Sequence, residues 1–336
     1  MKIKNIQKVA GRMNIGDPFI FGAYHYDLYP EGNGKFGPKA SLEGHNLGND
    51  FDNNLPWRMY HGRSIPGFPF HPHRGFEIIT IVEEGYADHF DSKGSKGRYG
   101  EGDVQLMSAG SGVLHGEMFP LIHEDKPNHL RLFQIWMNLP AASKMTEPQY
   151  KMLWHEQIPI AKPTGDVRIK VILGEYEGVK SLGSLPYSWA KDPNHRVGVA
   201  LITIDAGASY TIKASSASLN RFLFYYEGNA AIKIEEQSID AGYLLDLQGG
   251  EDIVIKNITN GDAKLLLLEG EPINEPVAAY GPFVMNTEQE LEESFREYRR
   301  TQFGGWPWGQ EEAALVHAKD AGRFASYHFG KEIDKP

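Results

Sequence analysis

Short runs of β-branched and aromatic residues recur along roughly the first 270 positions, each closed by Gly, Asn or Asp. "FEIITIVEEG", "GDVQLMSAG", "HLRLFQIWMNL", "VRIKVILG", "VGVALITIDAG", "RFLFYYEGNAAIKI", "GYLLDL", "EDIVIKN" and "AKLLLLEG" are examples. Runs of four to eight such residues between turn formers are strands, and many at even spacing make a sandwich or barrel. The 37 glycines are enough to punctuate that many turns. The chain is therefore expected to be all-β. One early connection, "LYPEGNGKFGPKASLEGHNLGNDFDNNLPWR", is long and polar. Connections of that length are lids, binding loops or disordered segments.

A weak internal repeat runs through the strands. "FEIITIVEEG", ending at Gly85, resembles "LNRFLFYYEGN", whose glycine is Gly228. Each is followed by a Gly-led strand, "GDVQLMSAG" from Gly102 and "GYLLDLQGG" from Gly242. Two β-domains of similar topology would give this pattern. Pro140 and Pro148 interrupt the strand pattern in "MNLPAASKMTEPQY", so the expected domains are 1–145 and 146–336. Helix signals lie at the end. In "NTEQELEESFREYRR", Thr287 and Glu290 stand at capping-box spacing, and Leu291, Phe295 and Tyr298 form one apolar stripe. A second, shorter helix is expected over "GQEEAALVHAKDAG".

Composition excludes several functions. Without cysteine there are no disulfides or thiolates, so any metal must be held by His, Asp, Glu or backbone groups. A net charge of −10 with no dense Lys/Arg run argues against direct nucleic-acid binding. No apolar window of membrane-spanning length and no signal-peptide h-region is present. The expectation is a soluble, cytoplasmic, monomeric protein.

The chemistry is concentrated in two short stretches. In "FHPHRGFE", His71 and His73 are separated by one residue; in "GSGVLHGEMFP", His115 and Glu117 are spaced the same way. Residues i and i+2 of a strand point to one side, so each pair aims two ligands at one place. Closing the sheet into a barrel would bring the two inner faces together. Three imidazoles and a carboxylate form a site for a divalent first-row metal. A lone histidine is more often structural; it is the paired spacing that favours a metal. Glu77, four residues after His73, is the alternative carboxylate, and Glu117 is preferred because it shares a strand with His115. Arg74 reads either as the partner of a carboxylate or, slightly favoured, as a solvated rim charge. Phe68, Phe70, Met107, Phe133 and Trp136 either line a pocket or form ordinary core.

"FHPHRGFEIITIVEEGYADHFDSKG", followed by "GDVQLMSAGSGVLHGEMFP" and "LRLFQIWMNLPAASKMTEPQY", resembles the N-terminal domain of the pirin family within the cupin superfamily. "AYGPFVMNTEQELEESFREYRRTQFGGW" resembles that family's C-terminal signature. The resemblance implies a bicupin, two β-barrel (jelly-roll) domains facing one another, with one or two short C-terminal helices. It implies one divalent metal, Fe(II) foremost, with Mn, Co, Ni, Cu or Zn as alternatives. The family's ligand pattern falls on His71, His73, His115 and Glu117. In the repeat register, Ala214 and Ser216 stand where His71 and His73 would be, so the second barrel is expected to bind no metal. The segment 18–62, with His25, His45 and His61, departs from the family pattern. His195, His317 and His328 read as surface or packing residues.

Two functions follow from the resemblance. One is a dioxygenase of quercetin 2,3-dioxygenase type, with a flavonol-like or other chelating aromatic substrate on the metal and Glu117 as the catalytic base. The other is a regulatory module whose metal or redox state controls binding to a transcription factor or a metabolic enzyme.

Overall fold

The computed structural model describes residues 2–336 and is almost entirely β, as the strand runs require, with one α-helix. It divides into two compact units. The first comprises the chain up to Gly22 with Gln157–Asn274, and the second Ala23–Glu156 with Glu275–Pro336. The first residues of the chain thus pack with the unit that holds 157–274, and the last with the unit that holds 23–156. The amino-terminal strand Ile3–Lys8 pairs with Tyr243–Gln248 of the first unit. The C-terminal segment returns to the second unit, because its hairpin and helix bury their apolar side chains there.

In the second unit one sheet holds, in order, Gln149–Leu153, Val104–Ser108, Phe76–Glu84, Leu130–Asn138 and Phe19–Asp27. The other holds Glu332–Asp334, Phe324–Tyr327, Lys96–Gly100, Tyr86–Asp91, Val113–Met118 and Gly67–His73. Hydrogen bonds from Thr80 and Gln134 of the first sheet to Glu117 of the second show that their inner faces meet. Leu291, Phe283, Met285 and Phe303 form a buried cluster beside the helix Glu288–Thr301. That helix starts at the expected capping box: Thr287 Oγ1 accepts from Glu290 N–H, and the Glu290 carboxylate accepts from Thr287 N–H.

The second expected helix is reduced to one short 3-10 turn, Glu312–Leu315. Side-chain and backbone groups of this stretch are engaged with other segments. The Glu312 carboxylate accepts from the backbone N–H of Arg63, Ser64 and Ile65, while buried Arg98 donates to the carbonyls of His317 and Ala318.

The first unit repeats the topology. Asn220–Glu227 lies between Tyr243–Gln248 and Ala263–Gly270, as Phe76–Glu84 lies between Val104–Ser108 and Leu130–Asn138. Alternate residues such as Leu223, Tyr225, Leu265 and Leu267 enter one aliphatic core. Among the described residues no helix is long and apolar enough to cross a membrane.

Candidate metal centre

Strand Gly67–His73 runs antiparallel to Val113–Met118, with His71 directly opposite His115. Period-2 alternation then turns His73 to the same side as His71. The three imidazoles converge so that a ligand nitrogen from each lies within 4.8 Å of the others. The Nε2 atoms of His71 and His115 are 3.1 Å apart. Among the described residues this is the one cluster of three His, Asp or Glu groups with such spacing.

The tautomers follow from hydrogen bonding. His71 Nδ1 meets the Pro69 carbonyl at 2.9 Å, and His73 Nδ1 meets the Pro282 carbonyl at 3.3 Å. A carbonyl only accepts, so Nδ1 carries the proton and Nε2 keeps its lone pair. Burial lowers the His71 pKa to about 4 and holds those of His73 and His115 well below 6.5. The three rings are therefore neutral at pH 7, the form that binds a metal. Imidazole donors suit Fe, Ni, Cu or Zn, so the residues present fit a divalent metal without selecting one.

Glu117 is buried two residues beyond His115 but is not part of the imidazole cluster. Its Oε2 accepts from Gln134 Nε2 at 2.6 Å, and its Oε1 from Thr80 and Tyr99 hydroxyls at 3.3 Å each. Burial raises its pKa, opposed by the nearby His89 and these three donors. Glu77 is no substitute: Thr80 reaches Glu117, and Glu77, an odd number of residues away on the same strand, faces the other side.

His89 was not singled out from the sequence. It is fully buried, lies across the strand pair from Glu117, stacks on Tyr150 at 4.9 Å and meets Asp91 Oδ2 at 3.2 Å. The signal was present: His89 and Asp91 in "ADHFD" have the same i, i+2 spacing as the other pairs.

Arg74 is not a rim charge. It is 2% exposed, and its guanidinium donates to the Ser111 carbonyl and Ser294 Oγ, pairs with Glu297 at 2.8 Å and lies 4.4 Å over the Phe303 ring. One cation thus ties the end of the His71–His73 strand to the turn preceding His115 and to the C-terminal helix. Gly75 permits this approach. Its φ is +85°, and a Cβ there would sit 2.0 Å from the Val284 carbonyl oxygen. Lys144, also buried, donates to that carbonyl, to Gly75 O and to Asn138.

Two of the five suggested lining residues adjoin the imidazoles. Phe68 lies 6.4 Å from His71, and Trp136 5.1 Å from His73. Phe70 stacks on Trp306, Phe133 on Tyr24, and Met107 is core. His25 bonds Tyr60, His45 bonds Asp50 and His61 bonds the Gly48 carbonyl, all outside the imidazole cluster. His317 stacks on Phe90 and His195 on Trp189, in keeping with packing roles.

The first unit lacks the equivalent ligands. Where Ile78 faces Trp136 beside His73, the repeat register sets Arg221 opposite Glu269, joined at 2.7 Å. Arg221 also donates to the Lys213 carbonyl, beside Ala214.

Residues 40–137 match the pirin family, and residues 199–304 match the pirin C-terminal cupin domain. The chain is 38% identical over 241 residues to Pirin-1 of Arabidopsis thaliana, covering 71% of this chain and 78% of that protein. The chain belongs to the pirin family. Human pirin is 36% identical over 259 residues, covering 76% of this chain and 84% of its own. Among solved structures, a quercetin 2,3-dioxygenase from Acinetobacter baumannii superposes on this pirin with TM-score 0.71 at 26% identity. That match covers 90% of this chain and 98% of the other. The cupin fold expected from the sequence is thereby shown, and the cluster of three imidazoles lies in the second unit.

Proposed function

We propose that this pirin is a metal-dependent dioxygenase of the quercetin 2,3-dioxygenase type, acting on flavonol-like or other chelating aromatic substrates. The observation that carries the proposal is the convergence of three neutral imidazoles beside a buried, hydrogen-bonded carboxylate and two aromatic rings. Similarity to the Acinetobacter enzyme supports it. His71, His73 and His115 would hold the metal, with Fe(II) the proposed ion. A bound metal supplies Lewis acidity toward a chelating hydroxyl and electron exchange with dioxygen.

The protein's own residues have separate tasks. Pro69 and Pro282 carbonyls fix the His71 and His73 tautomers, so no proton must leave before a ligand bond forms. Glu117 accepts the proton of the substrate hydroxyl. Gln134, Thr80 and Tyr99 orient its carboxylate, and all three can strengthen or relax their hydrogen bonds as its charge changes. Phe68 and Trp136 present apolar faces to an aromatic substrate and exclude water around it.

Oxygen consumption by the iron-loaded protein, measured with a panel of flavonols and catechols, tests the proposal. Turnover with at least one member, abolished by His73→Ala in a folded protein, is expected. No uptake across the panel would overturn the assignment.

A further inference from the structure

The imidazole cluster is not equally covered on all sides. His73 and His115 are buried, whereas His71 is only half-buried, so the cluster meets solvent on the His71 side. Phe68 stands at that opening. Beyond Phe68 are two rings from the long connection that precedes its strand. His61 is 5.5 Å from Phe68 and edge-on to it, and Phe51 is 6.2 Å away. Phe51 and His61 also touch one another at 5.0 Å, and both are exposed.

These rings are held in place. Asp50 and Tyr60 exchange two backbone hydrogen bonds, and the Asp50 carboxylate accepts from Met59 N–H. Tyr60 stacks on Phe68 at 5.1 Å and donates to Asp27, which is locked by Arg58. The backbone at Tyr60 has φ +56°, the left-handed region that a bulky residue enters only when its surroundings enforce it. That reversal sets His61 next to Phe51. His61 Nδ1 must donate to the Gly48 carbonyl at 2.9 Å, so its Nε2 is left as an acceptor.

We propose that Phe51, His61 and Phe68 form a distal subsite for the ring of the substrate remote from its chelating group, with His61 Nε2 accepting from a hydroxyl on that ring. The subsite rests on the reading above, in which a chelating aromatic binds at the imidazoles. It adds a selectivity: two-ring chelators with a hydroxylated distal ring are preferred over single-ring ones. Edge and face contacts with Phe51 and Phe68 hold the ring, and the imidazole reads its substituent.

The test is anaerobic absorbance titration of the Co(II)-loaded protein with three probes: quercetin, a flavonol whose distal ring carries no hydroxyl, and catechol. Phe51→Ala should weaken both flavonols about tenfold, and His61→Ala should weaken quercetin alone by a similar factor. Phe51→Tyr should restore binding, separating loss of the ring from damage to the loop. Catechol, which reaches only the imidazoles, should bind all variants alike. Equal loss for catechol and quercetin, or no loss for quercetin, would overturn the subsite. Wild-type protein that binds catechol but not quercetin would also overturn it while leaving the chelation reading intact. Binding of neither would remove both.

Discussion

The Arg74–Glu297 pair makes an asymmetric prediction. Arg74 is 3% exposed at its side chain and Glu297 is 42% exposed. Arg74→Met strips the half-buried Ser111 carbonyl of its guanidinium donor and removes the cation from the Phe303 ring. One half-buried acceptor left without its donor and one lost cation–π contact together cost about 2 kcal/mol. Glu297→Gln, by contrast, leaves Arg74 bonded to Ser111 and Ser294, and the freed position is solvated. Its cost is that of a half-exposed pair, less than about 1 kcal/mol. Urea denaturation of the apo protein measures both. Because Arg74 also joins the His73 strand to the turn before His115, Arg74→Met should weaken Co(II) affinity, read by competition with a chelator, more than Glu297→Gln does. Equal destabilisation by the two substitutions, or unchanged metal affinity in Arg74→Met, would refute the idea that the arginine braces the ligand strands.

Two further outcomes follow from groups away from the imidazole cluster. Burial lowers the His25 pKa to about 3 and that of His317 to about 4, from 6.5. The unfolded chain binds those protons first, so their contribution is complete above pH 6.5 and is lost as pH falls. Each should cost about 1.4 kcal/mol per pH unit below 6.5 until its folded pKa is reached. His25→Gln should flatten the urea-midpoint profile between pH 6.5 and 5 relative to wild type; an unchanged slope would contradict the account. Glu312→Gln should loosen residues 63–65, whose three N–H groups its carboxylate accepts, costing about 1–2 kcal/mol locally. Amide exchange at Arg63, Ser64 and Ile65 should accelerate while the sheet amides keep their protection.

Much of this was legible in the chain because it depends on period and spacing. The strand runs, the repeat about Gly85 and Gly228, the capping box at Thr287 and the convergence of His71, His73 and His115 each follow from a short pattern of spacing that the sequence displays. What could not be read depends on partners far apart. Arg74 looks solvated until Glu297, more than two hundred residues on, is folded against it. The helix expected over 309–322 is reduced to one turn where the 317–318 carbonyls accept from Arg98, some 220 residues away in the chain. Glu117 stands at the expected spacing from His115, but the donors to its carboxylate, Gln134, Thr80 and Tyr99, are not marked in the sequence as its partners.

Metal titration of the chelator-stripped protein tests the three-imidazole centre most directly. Isothermal calorimetry with Co(II) or Fe(II) should give one equivalent at pH 7. His73→Ala and His115→Ala should each abolish tight binding while apo circular dichroism stays unchanged. Glu117→Gln should retain one equivalent, because the imidazoles alone converge. Stoichiometric binding that survives loss of either histidine, or a wild-type protein that takes up no metal, would contradict the account.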